Sequence, residues 1–235
     1  MKDINYSGNV TKTMTDRLDH VEIIDAVILD LDFTIIGFKD GFPKLLDDLA
    51  GLSIDHEVLG RALNYSNENG FTVELFIKSI EIFQNKMFSR RIKSNIRNTF
   101  NFWLENSLYV FDDAKVCLNN WKDKIPLIIL TFGDPAYQKR KLRMLGLDEF
   151  PIYYSSRSVS KARILGDLLK EYGKVFYVDD NINEINNIAT VNTSEMISLF
   201  WLNRNSYPKE SIKALPDYIE ISSLLNVNKY LFDRK

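Results

Sequence analysis

An α/β fold is predicted by this sequence, a doubly wound parallel sheet whose first strand is followed by an inserted, all-helical segment. Three observations carry that prediction. The apolar run from Ile23 to Leu29 is short and rich in branched residues, as a buried strand is. Residues from about 37 to 110 show helical spacing without a convincing strand. From about residue 111 strands and helices alternate, the pattern of a parallel sheet with helical crossovers. The first strand needs partners, and these lie only beyond residue 110. The helical stretch is therefore an insertion into a discontinuous sheet domain.

The elements follow in order. Residues 1 to about 20 are polar and mixed in charge, and read as a poorly ordered tail. After the strand at 23–29, apolar residues recur at helical spacing around Leu45, Leu59, Phe76, Ile80, Ile96 and Phe100. Ser53 and Thr72 are expected N-caps and Gly51 and Gly70 expected stops, dividing the run into about four helices. Ala114 to Trp121 reads as a short helix and Pro126 to Leu130 as a buried strand. A helix is expected from about Pro135 to Leu145, stopped by Gly146, and a strand at Ile152 to Tyr154. Next come a helix from about Lys161 to Tyr172, a strand from Val175 to Val178, a helix after Asn183 and a strand from Ile197 to Leu202. An edge strand near Tyr218 and a last helix from about Ser222 to Leu231 close the series. The expected domains are thus a core of 21–36 plus 111–235 and a helical cap of 37–110, overhanging the sheet edge as a lid would.

Composition narrows the function. The 235 residues are 45% hydrophobic, enough for a core domain with an attachment and no need of staples. Thirty basic against 32 acidic residues leave a formal charge of -2, so no global field suggests nucleic acid or an anionic membrane. Cys117 is the single cysteine, which rules out an intrachain disulfide and a cysteine-based zinc site and fits a reducing compartment. No stretch has the length of a membrane span and no apolar signal core opens the chain, so a cytoplasmic protein with small-molecule partners is expected.

The chemistry gathers at strand ends. In Asp30-Leu31-Asp32-Phe33-Thr34, the alternation of a strand places Asp30 and Asp32 on one side of its carboxyl end. Buried acids there are costly unless paired, hydrogen-bonded or bound to a cation, and that edge is where α/β proteins place ligands. Thr131, Lys161 and the pair Asp179-Asp180 fall at the same edge. Carboxylates of this kind suit a hard cation such as Mg²⁺, whose other ligands often include a phosphate. A hydroxyl and an ammonium beside it are anion-handling groups.

These residues resemble the motifs of the haloacid dehalogenase-like superfamily, whose core is Rossmann-like. Asp30-Leu31-Asp32-Phe33-Thr34 is similar to its first motif, Leu130-Thr131 to its second, Lys161 to its third and Val178-Asp179-Asp180 to its fourth. The order, the spacing and a helical cap between the first two motifs also match, over about residues 21 to 225. The resemblance implies a phosphatase acting on a small phosphorylated metabolite. Asp30 would attack phosphorus and Asp32 would serve as general acid and then base, which requires it to be protonated when substrate arrives. Mg²⁺ would be held by Asp30, the backbone carbonyl of Asp32 and the Asp179-Asp180 pair. Thr131 and Lys161 would bind the transferring phosphoryl group, with Glu184 supporting. A phosphomutase on the same fold and a non-catalytic regulatory member are the alternatives, and the acid at Asp32 disfavours a dehalogenase.

Some positions depart from the family. Phe33 stands where many members have Gly, Asp or Asn, Phe132 where a polar residue is frequent, and Ala162 where a proline often follows the lysine. The two aromatics would narrow the site or contact an apolar leaving group. Other features have ordinary readings: Arg90, Arg91, Lys93 and Arg97 a solvated helix face, His20 and His56 surface or loop positions, and Cys117 the core.

Overall fold

The computed structural model describes residues 23–191, 195–204 and 218–232. Six strands form one parallel sheet in the order β5-β4-β1-β6-β7-β8. They are β1 (Ala26–Leu29), β4 (Leu127–Phe132), β5 (Ile152–Ser155), β6 (Val175–Asp179), β7 (Ile197–Leu202) and β8 (Ile219–Ile221). β1 lies between β4 and β6, with Ile28 opposite Ile128 on one side and Tyr177 on the other. The chain winds outward from β1 through β4 to β5 and then in the other direction through β6 to β8, so the strand order reverses beside β1. In such a sheet the crevice outside the carboxyl ends at the reversal is the natural ligand site.

Every residue of β1 is buried, because both faces of the sheet are covered. Val27 and Leu29 join one core with Ile129, Phe176 and Phe200, and that core continues into the inserted helices. Ala26 and Ile28 join the other with Ile128, Tyr177 and Trp201. This two-sided burial follows from the period of two along the strand.

Four helices stand between the first two core strands: α1 (Gly41–Ala50), α2 (His56–Glu68), α3 (Val73–Phe83) and α4 (Arg90–Ser107). Thr72 caps α3 by accepting from the Leu75 N–H, and Gly51 ends α1. Ser53 does not cap α2. Asp55 does, accepting from the N–H groups of Glu57 and Val58, a stronger anionic acceptor at a helix start. The expectation of no strands here is also corrected. β2 (Ile36–Phe38) and β3 (Leu108–Val110) form an antiparallel ribbon that joins the helical insertion to the core.

The remaining helices are α5 (Asp112–Trp121), α6 (Pro135–Leu145), α7 (Lys161–Tyr172), α8 (Ile182–Val191) and α9 (Asn228–Leu231). β1 begins at Ala26, since Ile23 is solvent-exposed, and β4 runs on through Thr131 and Phe132 by pairing with Tyr154 and Ser155. The expected last helix is a 3-10 turn, Leu224–Val227, followed by the single turn of α9, because Ser223 and Asn226 close a capping box that stops an earlier start. The tail at 1–20, His20 and the stretch before Tyr218 lie outside the described residues. Among the described residues, no helix is long and apolar enough to cross a membrane.

Candidate active site

Asp30 follows β1 directly, and its N–H donates to the Val178 carbonyl at 2.9 Å, fixing it at the carboxyl edge between β1 and β6. α7 starts at that same edge. Ser160 caps it, which sets Lys161 in its first turn with the ammonium pointing into the sheet crevice. Lys161 Nζ donates to Asp30 Oδ1 at 2.6 Å and to Asp179 Oδ2 at 2.7 Å, and all three residues are buried. Asp179 also accepts from the Tyr177 hydroxyl and, at 2.8 Å, from the Asn181 N–H. Its carboxylate is therefore already engaged on both oxygens.

Asp180 is freer. Its Oδ1 accepts from the Thr34 hydroxyl at 3.3 Å, while its own N–H donates to that hydroxyl at 3.1 Å. Carboxylate oxygens of Asp30, Asp179 and Asp180 lie within 4.8 Å of one another. Burial, with help from Asp179, pushes the Asp180 carboxyl up to about 7 against the pull of Lys161 and Thr34. Burial likewise raises Asp30 well above the usual carboxylate range, with Lys161 opposing and the two neighbouring acids assisting. Desolvation works against the Lys161 ammonium, but Asp179 and Asp30 outweigh it and hold the proton firmly. One ammonium faces three acids, so the cluster gathers more carboxyl groups on hard oxygen donors than one lysine can keep ionised together. That donor set fits Mg²⁺.

Asp32 stands apart from the three. Lys141 Nζ lies 2.5 Å from its Oδ1 and 2.6 Å from its Oδ2, and Gln138 Nε2 adds a bond to Oδ2 at 3.2 Å. Both partners come from α6, one turn apart, directly after β4. Gln138 is fixed in turn by donating to the Phe132 carbonyl at 2.7 Å, and the Lys141 ammonium lies 4.9 Å from the centre of the Tyr137 ring. The sequence reading gives Asp32 the proton-transfer role, and the structure surrounds its carboxyl group with donors from α6. Neither Lys141 nor Gln138 was singled out from the sequence. The available signal was a Gln and a Lys three residues apart on the helix that follows Thr131.

One cavity of about 600 Å³ joins these groups. Asp30, Asp32, Thr131, Lys161, Asp179, Asp180 and Glu184 all line it, and Thr131 is almost wholly buried at its base. Burial raises the Glu184 carboxyl from its ordinary value. The insertion lines the cavity on its other side with Asn67 and Glu68 at the end of α2 and Phe71 in the loop that follows. Phe71 packs on Tyr137 of the core with centroids 5.1 Å apart, and Arg157 Nε donates to the Glu68 carbonyl at 3.1 Å across the same seam. Such groups can bind an anion, deliver a nucleophile and move a proton.

The other sequence candidates stay outside the cavity. Lys93 and Arg97 form ion pairs with Glu81 and Glu74 within the insertion, at 2.9 and 2.5 Å. His56 meets Asp47 on the surface at 3.2 Å. Cys117 is fully buried, and burial pushes its thiol up to about 12.

A family model for haloacid dehalogenase-like hydrolases matches residues 24–189. The chain is similar in fold to the Bacillus subtilis protein YfnB solved with magnesium, at 16% identity and a TM-score of 0.62, covering 89% of this chain and 99% of that one. It is similar to a predicted phosphoglycolate phosphatase from Haemophilus somnus 129PT, at 15% identity and a TM-score of 0.59 over 89% and 99% of the two chains. The L-2-haloacid dehalogenase RSc1362 gives 15% identity and a TM-score of 0.61 over the same shares. At these identities the likeness is one of fold. No curated protein matches.

Proposed function

From the premise that this chain belongs to the haloacid dehalogenase-like hydrolases, we propose that it is a Mg²⁺-dependent phosphatase hydrolysing a small phosphorylated metabolite through an aspartyl-phosphate on Asp30. The observation that carries the reading is Asp32, held by Lys141 in the cavity that Asp30 lines. A departing alkoxide is a strong base and needs a proton, whereas a departing halide does not. A second acid with a proton-rich partner is thus useful for an ester and idle for a haloacid.

In this reading an Asp30 oxygen attacks phosphorus and the ester P–O bond breaks, its electron pair leaving with the alcohol oxygen. Asp32, entering the step as the carboxylic acid and oriented by Lys141 and Gln138, passes its proton to that oxygen, and the alcohol departs, leaving Asp32 as the carboxylate. Asp32 then takes a proton from a water whose oxygen bonds to phosphorus as the Asp30–phosphorus bond breaks. The products are alcohol and inorganic phosphate, with Asp30 restored. Lys161 and Thr131 stabilise the charge of the transferring group, and the ammonium's bond to Asp179 fixes its position. Asp30, Asp180 and the Asp32 carbonyl would hold the cation, which when bound offsets the repulsion between the nucleophile and the phosphate. Phe71 and Glu68 of the insertion line the cavity, where they would limit the access of water to the reacting groups.

The test is phosphate release from a panel of sugar, nucleotide and amino-acid phosphates, with and without Mg²⁺, alongside chloride release from 2-chloropropionate. Wild type should release phosphate only with Mg²⁺, and Asp30→Asn should lose turnover. Chloride release without phosphate release would overturn the reading, as would persistent turnover in Asp30→Asn after contaminating phosphatase has been removed.

A further inference from the structure

Phe33 is held in a left-handed backbone conformation, φ 59°. For a bulky L-residue that conformation costs about 1–2 kcal/mol, and glycine or asparagine adopts it with far less strain. The turn imposes it. The Phe33 N–H donates to the Ile36 carbonyl at 2.7 Å, and the N–H groups of Ile35 and Ile36 both donate to the Leu31 carbonyl, so the chain reverses tightly between β1 and β2.

Burial does not repay the strain, because the side chain remains 43% exposed and turns into the cavity. There it meets Phe38 edge-on at a centroid distance of 5.8 Å, and Phe38 stacks on Trp103 at 5.1 Å with 13° between the rings. Phe132 and Phe71 line the same cavity. A strained residue that leaves an aromatic ring open to a ligand cavity, where glycine would suit the backbone, points to function at that side chain.

Resting on the phosphatase reading above, we propose that Phe33 is a specificity-determining residue. It recognises phosphate monoesters whose leaving group presents a planar, apolar ring close to the ester oxygen. Phe33 adjoins Asp32, the residue placed to protonate that oxygen, so its ring reads the leaving group and not the phosphate. The stacked pair of Phe38 and Trp103 supplies a rigid backing, which lets Phe33 bind a ring without first being ordered by it.

Benzyl phosphate and ethyl phosphate test this, since both release a primary alcohol and differ in the ring. Wild type should prefer the benzyl ester in kcat/KM. Phe33→Gly and Phe33→Asn should lower the benzyl-to-ethyl ratio at least about tenfold, mainly through the KM of the benzyl ester. Both variants should keep or raise the melting temperature, because the backbone strain is relieved. Binding of benzylphosphonate and ethylphosphonate, measured by calorimetry with Mg²⁺ present, reads the same ratio without turnover. An unchanged ratio in both variants overturns the proposal. So does a lower melting temperature in both, which would make the ring a structural prop. Absence of turnover on both esters, with a ring preference in the binding ratio that Phe33→Gly removes, would sink the phosphatase reading and leave Phe33 as the reader of a ring.

Discussion

Lys141 and Asp32 stand 109 residues apart in the chain, yet the ammonium contacts both carboxylate oxygens within 2.6 Å. Lys141 has almost no exposed surface, while about a third of the Asp32 side chain faces the cavity. The lysine is thus a fixed anchor and the aspartate its working end.

Removing the anchor should separate positioning from fold. Lys141→Met is expected to lower kcat roughly 100-fold, the scale of a displaced proton carrier, with a smaller effect on KM. The stability loss should stay near the lower end of the roughly 3–5 kcal/mol seen when a buried pair is broken, since Asp32 keeps access to water. Steady-state kinetics across pH and a denaturant titration check both. A variant with full kcat would show that Lys141 serves the fold alone.

Asp179 and Asp180 are neighbours with different duties. The Asp179 carboxylate is engaged by Lys161, Tyr177 and Asn181, whereas the Asp180 carboxylate accepts from the Thr34 hydroxyl. Asp180→Asn should raise the Mg²⁺ concentration for half-maximal activity by more than the roughly tenfold that even an outer-shell change costs. It should leave the metal-free melting temperature equal or higher, because an uncompensated buried charge is gone. Asp179→Asn should lower that temperature, by about 1–3 kcal/mol of stability, through the lysine it restrains. Equal effects of the two changes on both measurements would remove the distinction.

Asp113 contributes to the acid sensitivity of the fold. It accepts from Arg204 at 2.8 Å, from the Ser223 hydroxyl at 2.8 Å and from the Leu224 N–H at 2.9 Å. Partial burial opposes the charge, but Arg204 and the other donors outweigh it and hold the carboxyl below its ordinary value. The folded state then binds fewer protons than the unfolded chain. The resulting stability is present above the unfolded carboxylate range and is lost as pH falls through the lower, folded value. Asp113→Asn should flatten the acid limb of a melting-temperature profile below about pH 4 and cost about 2–3 kcal/mol at neutral pH. An unaltered acid limb would place that sensitivity elsewhere.

Much of the architecture was legible because periodicity survives in single sequences. The helix expected from about Lys161 to Tyr172 and the strand expected from Ile197 to Leu202 coincide with the observed elements. The ribbon of β2 and β3 was not, since three residues per strand carry no measurable period. Residues at strand ends, such as Asp30 and Asp179, could be placed because an acid after an apolar run is conspicuous. Lys141 could not. It lies in the run Lys139-Arg140-Lys141, where nothing local marks the one cation that turns inward. Its burial depends on an acid far away in the chain, and only tertiary structure brings the two together. The left-handed backbone at Phe33 was equally hidden, because the residue type is the wrong one for it.

The placement of the inserted helices after β1 also bears on when the enzyme can first act. Asp30 is among the earliest core residues to be synthesised, but Lys161 lies 131 residues later and Asp180 lies 146 residues after Thr34. Arg204, whose guanidinium grips the Thr34 carbonyl at 2.9 Å, comes 170 residues after it. Contacts of such long range close late, after the loop entropy between them has been overcome. A nascent chain therefore carries Asp30 without Lys161, Asp179 and Asp180 until β6 has emerged, and under the phosphatase reading turnover would begin only when the last core strands have docked.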